Sequence, residues 1–339
     1  MMEKVCLGLI GTGRIGRMHA RNLKYRIPGA KLVAVSDIVE EAARSVATEL
    51  DIPFAETDYR KLLQRKDIDG VVVCSPTDTH AQIVEEAAAA GKHVFCEKPI
   101  ALEIDRTKQV LTAVEEAGVK LQVGFNRRFD PSFRKAQQLI ESGEIGTPHV
   151  VRITSRDPAP PPIAYIKSSG GLFLDMMIHD LDMARFLLGD EVTELMALGN
   201  CLIDPAIGEA GDIDTAIVVL KYKNGAMGAI DNSRKATYGY DQRIEIHGSQ
   251  GTIIVGNKTP TEVVVHNEDA ISGDVLLNFF IERYEDSFLA EMDEFISCVR
   301  NDKEPSVSGM DGLMSLRMAY AALKSLETGS FTCVDSNCN

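Results

Sequence analysis

Three groups of residues in this 339-residue chain have types and spacings that could do chemistry. The first is Gly11-Thr12-Gly13-Arg14-Ile15-Gly16, a G-x-G-x-x-G, between an apolar run at Val5–Ile10 and a helix-like stretch at Arg17–Tyr25. A buried strand, a glycine turn and a helix N-terminus together make a pyrophosphate site, with Gly11 for the turn, Gly13 for close approach and Gly16 for packing. A second apolar run ends in Asp37, at the spacing of a carboxylate that accepts from an adenosine ribose, which favours NAD over NADP. The second group is Glu97-Lys98-Pro99, directly after the apolar His93–Cys96. A lysine there can stabilise an alkoxide, although a solvated strand-end lysine reads the same way. The third is Asp175 and His179, at i and i+4 in the run Gly170–Asp182. A carboxylate beside an imidazole suits a general base; a helix-stabilising pair and a zinc site are the alternatives that spacing leaves open.

These groups need elements to hold them. Strand-like runs at Gly70–Cys74, His93–Cys96 and Lys120–Gly124 alternate with helix-like stretches at Asp37–Leu50, Tyr59–Arg65, Thr79–Ala90 and Glu103–Ala117. Continuous apolar strands separated by helices predict a parallel, doubly wound α/β sheet. Ligands of such a sheet bind beyond the strand carboxyl ends, where Ser75, Thr77, Thr79, His80 and the Phe125–Arg128 segment fall. Thr79 also suits a helix N-cap and His80 a packing residue. From Ser132 onward the pattern changes to one helix and then six strand-like runs between His149 and His266, some joined by short turns such as Lys223–Gly225. That predicts a second α/β domain with an open, mostly antiparallel sheet, followed by helices near Phe288–Val299 and Gly309–Thr328. The expected domains are 1–124 and 125–339.

Composition narrows the function. Charged residues make up 25% of the chain and hydrophobic residues 45%, as in soluble globular proteins. The net charge of −14, with no basic cluster, argues against nucleic acid or an anionic membrane as partner. The early strand leaves no room for a signal peptide, and no run is long enough to span a bilayer. Seven scattered cysteines (Cys6, Cys74, Cys96, Cys201, Cys298, Cys333 and Cys338) form no C-x-x-C pair, which suits the reducing cytoplasm. No disulfide or metal role is expected for Cys333 and Cys338.

Together, the glycine motif, Glu97-Lys98-Pro99 and Asp175-x-x-x-His179 resemble the Gfo/Idh/MocA family of NAD(P)-dependent oxidoreductases, over nearly the whole chain. The segments Gly124–Asp130, Ser155–Pro161, Gly171–Arg185 and Tyr238–Arg243 are similar to the inositol-oxidising branch. The resemblance implies a Rossmann domain, a second domain whose sheet makes the oligomer contact, a last helix that can return to the first domain, and NAD as cofactor. It implies Lys98, Asp175 and His179 as the catalytic set. Cofactor contacts would be Gly11, Gly13, Arg14, Ile15, Gly16, Asp37, Ser75, Thr77, His80, Glu97 and Lys98. Substrate contacts would be Lys98, Arg127, Asp175, His179 and one of Tyr238 and Tyr240, with Tyr238 the residue named. The implied reaction is oxidation of myo-inositol to its 2-ketone, without a metal, by a cytoplasmic homotetramer. The alternatives are another polyol or sugar, such as scyllo-inositol or glucose, an inosose in the reducing direction, or a non-catalytic NAD-binding regulator.

Overall fold

Residues 4–335 are described in the computed structural model; Cys338 lies outside them. Six short strands form a fully parallel sheet: β1 (Val5–Ile10), β2 (Ala30–Ser36), β3 (Phe54–Glu56), β4 (Gly70–Val73), β5 (His93–Cys96) and β6 (Leu121–Val123). Their spatial order is β3-β2-β1-β4-β5-β6, the doubly wound order in which the chain reverses direction beside β1. Every residue of β4 is buried, as a central strand covered on both faces requires. Leu7, Leu9, Val35, Val72 and Phe95 form its core together with Met292, Phe295 and Ile296 of the helix Glu285–Asn301.

The chain divides into two units, 1–129 with 286–314 and 130–285 with 315–339. A single cut after residue 124 is what the sequence suggests; the first unit instead runs five residues further and regains a later segment. Helix Gly309–Thr328 starts in the first unit and ends in the second.

The second unit holds a seven-stranded mixed sheet. Its strands are β7 (Pro148–Arg156), β8 (Val192–Asn200), β9 (Thr215–Tyr222), β10 (Met227–Ser233), β11 (Asp241–Gly248), β12 (Thr252–Val255) and an edge strand, Thr332–Cys333. All neighbouring pairs are antiparallel except β7 with β10. The strands of this unit differ in part from the sequence reading. Strand β8, Val192–Asn200, carries no strand signal in the sequence, because its glutamate, glycine and asparagine mask the alternation. Val264–His266 forms no part of the large sheet and pairs only with Ile271–Gly273 in an exposed hairpin.

One face of the large sheet is covered. Asn232, Ser155 and Gln242 lie side by side in register across β10, β7 and β11, and all three are buried. Ser155 and Gln242 are hydrogen-bonded, and Asn232 Nδ2 donates to Asp180 of the helix Ile178–Leu188. That helix therefore lies over this face. The opposite face exposes Leu198, Ile217, Val219, Met227 and Ile254. Among the described residues no helix is long and apolar enough to cross a membrane.

Candidate active site

The glycine motif lies between β1 and the helix Arg14–Tyr25. Gly11 has φ +92°, and a Cβ there would lie 2.5 Å from the Ser75 amide nitrogen. A Cβ at Gly16 would fall 1.9 Å from the Gly11 carbonyl oxygen, so helix and turn approach as only glycine allows. A Cβ at Gly13 would meet no protein atom within 4 Å. Gly13 is the N-cap of helix Arg14–Tyr25, and no side chain caps that end. An uncapped N-terminus of a twelve-residue helix is an arrangement that can receive a phosphate. Arg14 is exposed and Ile15 half-buried at the same end.

Asp37 follows β2 directly. Its Oδ2 accepts from the Thr12 amide and hydroxyl, both at 2.8 Å, and its Oδ1 accepts from the Val39 amide at 3.0 Å. Partial burial pulls its pKa up, but the Val39 and Thr12 hydrogen bonds and the Arg17 charge outweigh this and hold the carboxyl below its ordinary value. It is an ionised acceptor pinned to the glycine turn. Three of its roughly four lone-pair positions are used, which leaves acceptor capacity on Oδ1.

Beyond β4, Ser75 and Thr79 share a hydrogen bond of 2.7 Å, and the Thr79 hydroxyl also donates to the Pro76 carbonyl. Helix Thr77–Ala89 begins two residues earlier than the sequence suggests, so Thr79 lies in its first turn and Pro76 is the N-cap. His80 is buried. Its Nδ1 lies 2.8 Å from the Pro99 carbonyl and its Nε2 2.8 Å from the Ser75 carbonyl, which leaves neither ring nitrogen for a cofactor. Lys98 is half-buried at the end of β5, and its bond to Pro99 is cis. Arg127 is buried in the 3-10 turn Asn126–Phe129.

In the second unit, Phe173–Met177 winds as a π-helix before the α-helix Ile178–Leu188, so Asp175 and His179 are not on one uninterrupted α-helix as their spacing suggests. Such π turns are rare and concentrate at functional sites. From Leu172 to Asp180 every residue is buried except Asp175 and His179. These two alone turn toward an accessible side. Asp175 Oδ1 accepts from the Tyr165 hydroxyl at 2.8 Å, and its Oδ2 lies 3.6 Å from Arg234, which also pairs with Asp212. Burial, then the Asp175 charge and hydrogen bond, push the Tyr165 phenol well above its ordinary range. Tyr165 and Arg234 escape sequence reasoning because each is brought to Asp175 by tertiary packing.

Tyr238 is 44% exposed and its hydroxyl is held on both sides, donating to Asp241 at 2.7 Å and accepting from Arg156 at 3.0 Å. Tyr240 is 6% exposed and packs edge-on against Tyr284. Among the described residues one group has metal-like grouping, His19, Glu97 and Glu291, whose ligand atoms all lie within 4.8 Å of one another. No sequence spacing signals it.

Residues 5–125 match the Gfo/Idh/MocA oxidoreductase family model for the NAD-binding Rossmann fold, and residues 137–334 match its C-terminal alpha/beta domain. The chain is 51% identical over 321 residues to the myo-inositol 2-dehydrogenase of Thermotoga maritima, covering 95% of this chain and 96% of that protein. It is 46% identical over 322 residues to the inositol 2-dehydrogenase of Rhizobium meliloti, covering 95% and 97%. The crystal structure of scyllo-inositol dehydrogenase from Lactobacillus casei with bound NAD(H) and scyllo-inositol superposes with a TM-score of 0.91, at 33% identity over 98% of this chain and 99% of that one.

Proposed function

This chain belongs to the Gfo/Idh/MocA family of oxidoreductases, and we propose that it oxidises myo-inositol to 2-keto-myo-inositol with NAD as acceptor. The observation that carries this reading is the likeness, over nearly the full length, to relatives named as inositol 2-dehydrogenases. The residues fit the cofactor. The open space at Gly13 and the uncapped helix end suit the pyrophosphate, and Asp37 suits the adenosine ribose. Bound NAD supplies the hydride acceptor for the carbinol carbon.

The chain's own residues handle the proton and the charge. His179 removes the hydroxyl proton. Asp175, whose carboxylate Tyr165 and Arg234 fix, supplies negative charge that stabilises the imidazolium that forms. Lys98 donates to the substrate oxygen and stabilises the negative charge that develops there. The proton leaves with His179 and the electron pair leaves as hydride, so the carbinol becomes a ketone. Arg127 contributes a further hydrogen bond to the polyol.

For the tyrosine contact, the face of the sheet favours Tyr240 over Tyr238. Tyr240 precedes the buried, alternating Gln242, Ile244 and Ile246, on the face that the His179 helix covers. The Tyr238 hydroxyl is already committed as donor and acceptor between Asp241 and Arg156.

The protein acts in inositol catabolism in the cytoplasm, as a homotetramer. The six cysteines among the described residues form no disulfide with one another, which suits a reducing compartment. The outward apolar residues Leu198, Ile217, Val219 and Ile254 suit a self-complementary sheet contact. Light scattering on the purified protein tests the assembly.

The substrate test is NADH formation with myo-inositol, scyllo-inositol and glucose in parallel. Reduction with myo-inositol at the highest kcat/KM supports the assignment. A preference for scyllo-inositol, the substrate bound in the Lactobacillus casei structure, would replace it.

A further inference from the structure

We propose that two buried histidines, His19 and His80, are positioning residues for Lys98, each fixing one of its two chain neighbours. The inference rests on the role given to Lys98 above.

On the Glu97 side, His19 Nε2 lies 3.0 Å from Glu97 Oε1. The His19 ring is fully buried and wedged edge-on between Phe95 and Phe288, with centroids at 5.4 and 5.8 Å. It cannot swing away without opening the core. Gly124 makes room for the carboxylate, since a Cβ there would stand 2.9 Å from Glu97 Oε2. On the Pro99 side, His80 Nδ1 reaches the Pro99 carbonyl and its Nε2 the Ser75 carbonyl. Carbonyl oxygens only accept and a neutral imidazole carries a single N–H, so the ring donates to one of the two carbonyls at a time, packed between the end of β5 and the end of β4. Lysine carries its charge on a flexible four-carbon stem. Fixing the backbone on both sides of it reduces the orientation cost at the reacting oxygen.

Glu291 completes the Glu97 side. Its Oε1 lies 3.9 Å from His19 Nε2, it is fully buried, and among the described residues neither carboxylate oxygen has a hydrogen-bond partner. The other titratable groups beside it are His19, Glu97 and Cys74. Burial, reinforced by the Glu97 charge, holds its carboxyl well above the usual range.

The two histidines use different ring atoms toward Lys98, and this gives a reciprocal test. A glutamine amide nitrogen stands where Nε2 was; an asparagine amide nitrogen stands where Nδ1 was. In the full-length protein, His19→Gln and His80→Asn are expected to lower kcat about threefold or less, and His19→Asn and His80→Gln about tenfold or more. NAD affinity by calorimetry is expected to change less than about threefold in all four. Crystal structures of the two impaired variants are expected to show Lys98 displaced. Equal kcat in all four variants, a loss carried by KM alone, or a loss that tracks melting temperature whichever nitrogen is kept would overturn the inference. An inactive Lys98→Met beside four variants at the wild-type rate would overturn it while leaving the Lys98 role intact; an active Lys98→Met would overturn that role itself. Stoichiometric divalent metal in the purified protein, lost on Glu291→Gln, would make the Glu97 cluster a metal centre and overturn the positioning reading on that side.

Discussion

Gly13 separates binding from stability. Replacing it with alanine adds a Cβ that meets no protein atom within 4 Å, at a residue whose φ of −66° and ψ of −167° any amino acid adopts. Two small effects on stability oppose each other. Alanine is a poorer N-cap than glycine, and it restricts the unfolded chain by about 0.4–1 kcal/mol. The folded protein should therefore change by less than about 1 kcal/mol, roughly 3 °C or less in melting temperature. The cofactor meets a different surface. The same Cβ stands in the open space where the pyrophosphate must approach the helix N–H groups. Losing one charge-assisted hydrogen bond costs about 1.5–3 kcal/mol, so NAD affinity should fall about 10- to 150-fold. Gly16→Ala provides the contrast, because its Cβ would stand 1.9 Å from the Gly11 carbonyl oxygen and the damage should appear in folding. Calorimetric titration with NAD and a thermal melt, run on both variants, measure the two effects. Unchanged NAD affinity in a Gly13→Ala protein of normal melting temperature would refute the placement of the pyrophosphate.

Asp37→Ala should raise the NADP/NAD ratio of kcat/KM by about tenfold or more, because it removes the ribose acceptor and the charge that repels a 2′-phosphate. An unchanged ratio in a steady-state comparison would take Asp37 out of the ribose site. Lys98→Met should lower kcat at least about a hundredfold while NAD still binds, a loss of about 2.7 kcal/mol or more in transition-state stabilisation. Near-normal turnover of the folded variant would remove Lys98 from the mechanism. Glu291→Gln should stabilise the protein increasingly as pH rises. The folded state keeps the Glu291 proton while the unfolded chain loses it above its ordinary pKa, so wild-type stability falls with rising pH by up to about 1.4 kcal/mol per unit across that window. Melting temperatures of both proteins between pH 5 and pH 8 check this, and a constant gap would count against a neutral buried Glu291.

Much of the first unit was legible because its signals are local. Strands such as Gly70–Val73 are continuous apolar runs, and the glycine turn and Asp37 lie within one strand-turn-helix-strand segment. The second unit was less so. Strand Val192–Asn200 carries a glutamate, a glycine and an asparagine, and the π-helix at Phe173–Met177 leaves no mark in the apolar pattern. The environment of the candidate residues was the least legible part. Lys98, Asp175 and His179 announce themselves by type, but tertiary packing brings Tyr165 and Arg234 to Asp175, and His19 and Glu291 to Glu97. His80 shows the converse: at a strand's carboxyl end it suggests a ligand contact, yet both ring nitrogens serve main-chain carbonyls.

The central claim is hydride transfer from the inositol carbinol carbon to NAD. Its most direct measurement is the reaction of the purified protein with NAD and myo-inositol carrying deuterium at C2. The account expects 2-keto-myo-inositol as product and one deuterium in each reduced cofactor. Reduced cofactor without deuterium, or no reduction of NAD by a protein that binds it, would contradict the account.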